Sequence, residues 1–432
     1  MSALTYTDAL KAQARDIADA CLQCGKCFSA CPMATPGGID NENPVAVVGG
    51  IVDILRGGAG TDAARRWTEI CTHSGKCIPA CDYGVNPRLM MSLAGLAVMA
   101  ASDAGTRRAN GVKKFTTMSN SVRMLSRLLT TPEQLARVNP RPDKRQVPAV
   151  APEVVFYTGC NVLRTPHIAL LCLDVLDALG TRYEVMGGPS HCCGVMQFGA
   201  GDDAGSGRFS YSTIDKLASA GTPKVLSWCP SCQIQFGEIA IPAYERSHGR
   251  SPIAMAPFAQ YLAERLADLR PLLRHPVHKR VALNERPTFP GVTAAVKAVL
   301  AAIPGLEFVE LDVARAGAMS NRLTFMPEFK KKLRTQEFQA AAAAGVTTLA
   351  TVYHACQRET CQFENDVSFE IVNFMSIIGE SMGIFEADLY KRLALAEGVG
   401  AMLAQTAGSI EAHGLEETSV REALFSEYGR RL

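Results

Sequence analysis

Apolar residues between residues 154 and 232 recur with spacings that predict alternating strands and helices. The segment VVFYTGC is apolar and predicts a buried strand that ends at Cys160. In the next segment, LRTPHIALLCLDVLDALG, apolar residues return every three or four positions, which predicts a helix. Two more predicted strands, RYEVMGG and KVLSWC, flank a polar helix around Tyr211–Ala220. Strands that alternate with helices form parallel sheets, and such sheets bind ligands at the carboxyl ends of their strands.

A second copy of this alternation begins 127 residues further along the chain. The predicted strands RVALNERP, LEFVELD and TTLATVYHAC alternate with the predicted helices GVTAAVKAVLAAIPG and PEFKKKLRTQEFQAAAAAG. We therefore predict a duplicated α/β unit with parallel sheets, its first domain over 153–278 and its second over 279–390. Between this unit and the N-terminal part we expect a basic connector that ends in a Pro-rich linker, over 105–152. Helices are expected over 391–432.

The composition narrows the class of protein. The 432 residues are 47% hydrophobic and 20% charged, which is typical of a folded protein. The net charge of +2 argues against a nucleic-acid binder, because such proteins neutralise phosphates with an excess of Lys and Arg. The N-terminus lacks the apolar core of a signal peptide, and the longest apolar stretch, 89–101, is too short to cross a bilayer. We therefore expect a cytoplasmic protein without a transmembrane segment.

The fifteen cysteines supply the candidate chemistry. Fourteen of them fall in four tight groups, and the odd total excludes complete disulfide pairing. Clustered thiols in a cytosolic protein indicate metal binding, whereas Cys172, alone in an apolar helix, is most simply a core residue. The first group stands in CLQCGKCFSACP, which has the C-x2-C-x2-C-x3-C-P spacing of bacterial ferredoxins that bind iron–sulfur clusters. Its members are Cys21, Cys24, Cys27 and Cys31.

The second group, CTHSGKCIPACD, repeats this spacing with Ser74 in place of the second cysteine and Asp82 in place of the proline. In two-cluster ferredoxins the fourth cysteine of each run binds the other cluster. This rule assigns a first 4Fe–4S cluster to Cys21, Cys24, Cys27 and Cys81. It assigns a second cluster to Cys31, Cys71 and Cys77, with Ser74 at the fourth iron.

Three outcomes stay open at the second cluster. They are a 3Fe–4S cluster, a 4Fe–4S cluster with Ser74 or water as oxygen ligand, and no cluster. A lone substitution in an otherwise intact run favours the first two, and the four-iron form is slightly preferred. The two runs together predict an α-helical ferredoxin-like domain over residues 1–104.

The third group lies at predicted carboxyl ends of strands in the first α/β domain. Its members are Cys160, Cys192, Cys193, Cys229 and Cys232. Their pattern, C-x31-CC-x35-C-x2-C, resembles the CCG domain of heterodisulfide reductase B subunits, and the ferredoxin runs resemble the partner C subunit. The two parts fused in one chain resemble the D subunit of heterodisulfide reductases, and this resemblance covers nearly all of residues 15–390. The resemblance implies that the five cysteines bind a noncubane 4Fe–4S cluster that carries the catalysis. A zinc site or a buried thiol patch is the alternative, although zinc needs only four ligands.

The second α/β domain departs from this pattern. Shifting the five cysteine positions by 127 residues gives Pro287, Met319, Ser320, Cys356 and Glu359. Four of the five thiols are thus missing, so the domain is degenerate. In the B subunits two such clusters face each other, and this chain departs from that arrangement. His354, Cys356 and Cys361 form a candidate remnant site, which could hold zinc, act as a redox thiol pair or be vestigial.

The resemblance implies an oxidoreductase that works as a subunit of a heterodisulfide reductase-like complex. Electrons would move between the ferredoxin-type clusters and the noncubane cluster, which would act on a disulfide or a carrier-bound persulfide. The expected partners are a flavin-containing A-subunit-like protein, other subunits of the complex and a sulfur-carrier protein. The Ala- and Arg-rich composition favours the sulfur-oxidising type. The alternatives are an electron relay that feeds quinone, as in glycolate or glycerol-3-phosphate dehydrogenases, and a non-enzymatic scaffold.

Overall fold

The computed structural model describes residues 4–141, 150–287, 289–317 and 323–429. The part before the first strand is helical. Its helices are α1 Tyr6–Ala20, α2 Lys26–Ser29, α3 Pro44–Leu55, α4 Asp62–Ile70, α5 Pro87–Met99, α6 Ala104–Leu128 and α7 Pro132–Val138. Helices α1 and α4 end where the two cysteine runs begin, at Cys21 and Cys71. After each run a helix starts with Pro behind a capping Asn, at Asn43 and Asn86. Each run is therefore held between two helices, and the first run also contains the short helix α2.

The segment that we expected to be a connector contains two helices. Helix α6 buries Met118, Val122 and Leu125 against the two α/β domains, while most of its basic side chains stay exposed. The basic residues of this segment thus lie on helices that pack on the rest of the protein. Apolar residues at helical spacing are interleaved with the charges, and their burial holds the helix on the protein. Most of the Pro-rich linker, 142–149, lies outside the described residues.

The first α/β domain contains a four-stranded parallel sheet. Its strands are β1 Val154–Gly159, β2 Tyr183–Gly187, β3 Lys224–Ser227 and β4 Ala254–Pro257, in the order β2-β1-β3-β4. Its helices are α8 Pro166–Ala178, α9 Val195–Phe198, α10 Asp203–Ala218, α11 Pro230–Ile234, α12 Ile241–His248, α13 Phe258–Glu264 and α14 Leu266–Leu269, with a π-helical turn at Gln235–Ala240. Cys172 is fully buried in α8, which confirms it as a core residue.

The second α/β domain repeats this topology. Its strands are β5 Arg280–Asn284, β6 Glu307–Val309, β7 Thr348–Thr351 and β8 Glu370–Asn373, in the order β6-β5-β7-β8, and all are parallel. Its helices are α15 Val292–Leu300, α16 Pro327–Ala343, α17 His354–Thr360 and α18 Phe374–Met382, and the chain continues with α19 Leu389–Ala394, α20 Gly398–His413 and α21 Glu417–Tyr428. Two sheets with one strand order are compatible with the expected duplication. No helix in the described part of the chain combines the length and apolarity needed to span a membrane.

The strand register shows that the offset between the two copies is not constant along the chain. Tyr157 in β1 pairs with Ser227 in β3, and in the second sheet Asn284 in β5 pairs with Thr351 in β7. The offset is thus 127 residues at the first strand but 124 at the third, because the connection between them is shorter in the second copy. Helices α11 and α17 each begin three residues after their strand ends. Cys356 therefore corresponds to Cys232 and not, as the constant offset predicts, to Cys229.

Candidate metal centre

The first cysteine run lies around a small cavity in the N-terminal part. Cys21, Cys24, Cys27 and Cys81 all line it, so the structure brings together the four residues that the crossed-ligand rule assigns to one cluster. Burial and the neighbouring thiols of Cys21 and Cys24 raise the pKa of Cys27 to about 12. A buried thiol of this kind keeps its proton at neutral pH unless a cation compensates the thiolate, as bound iron would.

The second run lies around a separate cavity. Cys31, Cys71, Ser74 and Cys77 line it, which again is the set that the crossed-ligand rule predicts. Burial, together with the thiols of Cys71 and Cys31, raises the pKa of Cys77 to about 12. Cys27 of the first group adds to this shift, so the two groups of thiols lie within electrostatic range of each other. The indole Nε1 of Trp67 donates a hydrogen bond to Cys31 Sγ at 3.2 Å, which orients that thiol.

The two loops share a rare backbone conformation. Gln23 and His73 are the non-glycine residues with positive φ in the described chain, at 54° and 57°. Two residues later, Gly25 and Gly75 also have positive φ, at 79° and 73°. Non-glycine residues seldom adopt positive φ, so its recurrence at matching positions is specific. The loop that contains Ser74 therefore has positive φ at the same two positions as the loop whose four cysteines are intact.

The five cysteines of the first α/β domain line one cavity of about 210 Å³. Each follows the carboxyl end of a strand: Cys160 comes after β1, Cys192 and Cys193 after β2, and Cys229 and Cys232 after β3. The Sγ atoms of Cys193 and Cys232 are 3.5 Å apart. Gly159 has a φ of 64°, and a Cβ at this position would lie 3.3 Å from Cys232 Sγ, so the glycine lets the backbone approach the thiol.

Hydrogen bonds set the charge of these thiols. Burial raises the pKa of Cys160 well above its usual value, and the neighbouring thiol of Cys193 raises it further. The pKa of Cys193 is held well below its usual range by hydrogen bonds from the thiols of Cys192 and Cys232. The pKa of Cys229 is likewise lowered, first by Cys232 and then by a hydrogen bond from His354. Burial thus opposes ionisation of these thiols except where a neighbour donates a hydrogen bond, and a bound cation would compensate their thiolates.

No group of three or more His, Cys, Asp or Glu side chains in the described ranges is arranged to hold a metal ion. A zinc ion takes four ligands, so it would leave one of the five thiols of the α/β cavity unbound.

The opposite wall of the 210 Å³ cavity comes mainly from the second α/β domain. Its charged and polar residues include Asn284, Arg286, His354, Cys356 and Glu359. Arg286 is buried and forms an ion pair with the buried Glu337, at 2.8 Å from Nη2 to Oε2. Glu359 pairs with Lys330 at 2.6 Å. Where the first copy supplies thiols, the described residues of the second copy therefore supply a paired, polar surface.

The candidate remnant site does not form in the structure. His354 and Cys356 line the cavity, but Cys361 lies in a separate core with Tyr390 and Leu393. Burial raises the pKa of Cys361 well above its usual value, as expected for an inert core thiol. Met319 and Ser320, two of the positions that the constant offset assigns to the lost thiols, lie outside the described residues.

Sequence reasoning missed two residues of the site. His73 lines both the cavity of the second cysteine run and the cavity of the five thiols. Aligning the two cysteine runs pairs His73 with Gln23. Nothing in that alignment shows that His73 reaches the cavity of the first α/β domain. Asn284 stands at the carboxyl end of a predicted strand, so the strand-end rule alone could have marked it as a candidate.

The fold and the cavity agree with a family match over the first α/β domain. Residues 154–237 match the cysteine-rich domain family CCG. The chain is thus a protein with a CCG domain, in which the cysteines lie at the carboxyl ends of a parallel sheet.

Two curated relatives extend the likeness to the rest of the chain. Each is the D-subunit of a dihydromethanophenazine:CoB–CoM heterodisulfide reductase. The protein from Methanosarcina mazei is 22% identical over 419 residues, which cover 85% of this chain and 94% of the relative. The protein from Methanosarcina barkeri is 23% identical over 247 residues, 54% of this chain and 59% of the relative. The chain is therefore similar to the D-subunits of heterodisulfide reductases and contains a region that matches the CCG family.

Proposed function

We propose that this chain is an iron–sulfur electron-transfer subunit of a heterodisulfide reductase-like complex. Ferredoxin-type clusters would be held by the two N-terminal cysteine runs and a noncubane 4Fe–4S cluster by the five thiols of the CCG domain. Electrons would pass between them, one at a time, to or from a disulfide or a carrier-bound persulfide. The likeness to the D-subunits of two such reductases supports this assignment.

One observation carries the proposal. His73 belongs to the loop of the second cysteine run and also lines the cavity of the five thiols. The second run adjoins the first, since Cys27 influences the pKa of Cys77. The three groups of thiols thus form a continuous series from the N-terminal part to the CCG cavity. Such a series is what electron transfer between bound clusters requires, and an isolated structural metal site would not need it.

The chemistry of the donor set supports an iron–sulfur group in the cavity. Five buried thiols exceed the four ligands of zinc, and clusters of iron and sulfide are held by cysteine thiolates. Bound there, the group would supply single electrons and an iron that binds sulfur.

The protein's own contribution is to hold these thiols in place. The hydroxyl of Tyr157 donates to the carbonyl of His191 at 2.6 Å and lies 3.9 Å from Cys232 Sγ. The amide N–H of Gly194 donates to Cys192 Sγ at 3.4 Å. His354 donates to Cys229, so the second α/β domain also holds a ligand of the first. Hydrogen bonds of this kind orient cysteine ligands and tune the group that they bind.

The proposal includes partners. A flavin-containing A-subunit-like protein would exchange electrons with the N-terminal part, and other subunits of the complex or a sulfur-carrier protein would complete the pathway. Exposure of Cys24 and Leu22 beside the first cavity supports an electron entry point there. In keeping with the composition, we favour sulfur oxidation as the physiological direction.

Iron and acid-labile sulfide analysis of anaerobically purified protein tests the assignment. About twelve irons per chain are expected for three full clusters and about eleven for an open site at Ser74. Cys193→Ala should abolish one electron paramagnetic resonance signal that responds to an added disulfide or persulfide. Cys172→Ala, a cysteine in the core, serves as the matched control and should retain it. A colourless protein that contains zinc would contradict the proposal, and clusters that respond to no sulfur compound would favour a simple electron relay.

A further inference from the structure

Two side chains on the polar wall of the cavity have unused hydrogen-bonding atoms. Asn284 ends β5 and His354 begins α17, and both line the cavity at 0% and 3% exposure. Within the described ranges, Asn284 Oδ1 and His354 Nδ1 have no hydrogen-bond partner. Most buried polar atoms in folded proteins are paired, so two unpaired atoms on one wall call for a ligand.

Both unused atoms are hydrogen-bond acceptors. The amide nitrogen of Asn284 donates to Glu337 Oε2 at 2.5 Å, which fixes the amide orientation and leaves Oδ1 as an acceptor. His354 hydrogen-bonds Cys229 and thereby lowers the pKa of this thiol, so the imidazole donates to the sulfur. Nδ1 is the ring nitrogen without a partner, which leaves Nε2 for the bond to Cys229 and Nδ1 to accept. A ligand that satisfies this wall must therefore carry N–H or O–H donors.

The charges around the cavity disfavour an anionic ligand. The guanidinium of Arg286 is already paired with Glu337, which also pairs with Arg315 at 3.0 Å. Glu359 is paired with Lys330. The facing wall consists of thiols that are negatively charged when they bind metal. A sulfonate, phosphate or carboxylate would thus meet like charge on the thiol side, and on the other side cations that already have carboxylate partners.

We propose that Asn284 and His354 form a specificity subsite for a small sulfur compound with N–H or O–H donors near its sulfur atoms. The substrate class is an uncharged or cationic disulfide or persulfide, such as that of an aminothiol, and anionic thiol derivatives are selected against. The inference deepens the proposed function and depends on it, because the sulfur atoms of the ligand would lie against the five-thiol wall.

Three disulfides of similar length test the subsite on anaerobic full-length protein that holds its clusters. Cystamine presents cationic N–H donors, bis(2-hydroxyethyl) disulfide presents neutral O–H donors, and 3,3′-dithiodipropionate presents carboxylates. Calorimetric titration should show that the first two bind at least about tenfold more tightly than the third, because each satisfies a buried acceptor. This comparison needs no variant, so a folding defect cannot obscure it.

Two variants then test whether Asn284 and His354 cause the preference for donor-bearing disulfides. Asn284→Leu and His354→Phe should each weaken binding of the donor-bearing probes about tenfold and leave the carboxylate probe nearly unchanged. Asn161→Leu is the matched control, since Asn161 lines the same cavity but its Oδ1 already accepts from Arg164. Asn161→Leu should still bind the donor-bearing probes more tightly than dithiodipropionate.

The outcomes separate this inference from the function on which it rests. Equal or tighter binding of dithiodipropionate would overturn the subsite, as would binding of none of the three by protein with its full cluster content. Retention of the preference in both variants would overturn it as well. Failure to hold clusters, or a bound probe that leaves every cluster spectrum unchanged, would instead count against the proposed function.

Discussion

The buried ion pair between Arg88 and Glu238 offers the sharpest test of how the N-terminal part is held on the CCG domain. Arg88 lies in α5 and its side chain is 0% exposed, whereas Glu238 lies in the π-helical turn and is 11% exposed. Arg88 Nε donates to Glu238 Oε2 at 3.0 Å, and Nη2 donates to Oε1 of the same carboxylate. Nη1 donates to the carbonyl of His73 at 3.2 Å, so the guanidinium also holds the loop that joins the two cavities.

Arg88→Met should lower the free energy of unfolding by about 3 kcal/mol. Removing one member of a buried pair costs about 3–5 kcal/mol, because the other charge is left without a partner. Glu238 is near the surface and can regain some water, which places the expected value at the lower end. Arg88→Met/Glu238→Leu should recover most of the loss, since it replaces the pair by apolar groups and leaves no unpaired charge.

Urea unfolding of anaerobic protein, followed by circular dichroism and by cluster absorbance, measures these changes. Arg66→Met is the matched control. Its pair with Glu69 is 41% and 60% exposed, and such pairs contribute about 0.5 kcal/mol or less. If Arg88→Met were as mild as Arg66→Met, or if the double variant were no more stable than Arg88→Met, the ion pair would not have the role that we assign to it.

Three further outcomes are expected. Ser74→Cys should convert any three-iron paramagnetic resonance signal to a four-iron one, and identical spectra would contradict the assignment of Ser74 to the second site. Cys356→Ala should leave the noncubane signal intact, whereas its loss would mean that the second α/β domain supplies a ligand. In metal-free protein, folding raises the pKa of Cys27 and Cys77 from 9.0 to about 12. The folded chain then keeps protons that the unfolded chain loses, so stability should fall between pH 9 and 12 by up to about 1.4 kcal/mol per pH unit for each thiol. Denaturant titrations at two alkaline pH values measure the slope of the unfolding free energy against pH. This slope should be smaller in Cys27→Ser/Cys77→Ser, and a slope of the opposite sign would refute the reasoning.

Hydrophobic periodicity predicted the strands whose sequence is strongly apolar. The segment VVFYTG became β1 with every residue buried. The fourth strand of each sheet was missed, because β4 is four residues long, partly exposed and ends in Pro257. Such a strand is defined by its pairing with β3, and local sequence carries little of that information.

The cysteine spacings predicted which side chains gather, because the distance between ligands along a loop restricts how they can meet. The relation between the two α/β copies was harder to predict. A constant offset presumes equal connections, but the chain between β5 and β7 is shorter than that between β1 and β3, so Cys356 was matched to the wrong thiol. The hydrogen bond from His354 to Cys229 joins two domains, and no local pattern could reveal it.

The two degenerate parts of this chain have changed in different ways. The Ser74 loop lacks one thiol but has the two positive φ positions of the intact loop, including the strained one at His73. A strained conformation that no longer served a purpose would be costly to retain, which favours a bound group at the second site. The second α/β domain instead surrounds its side of the cavity with the buried ion pairs of Arg286, Arg315 and Glu337. Apolar residues of similar volume would stabilise the fold at least as well. The polar wall instead places Asn284 and His354 at a cavity lined by five thiols. A role in substrate selection explains this wall better than a purely structural role does.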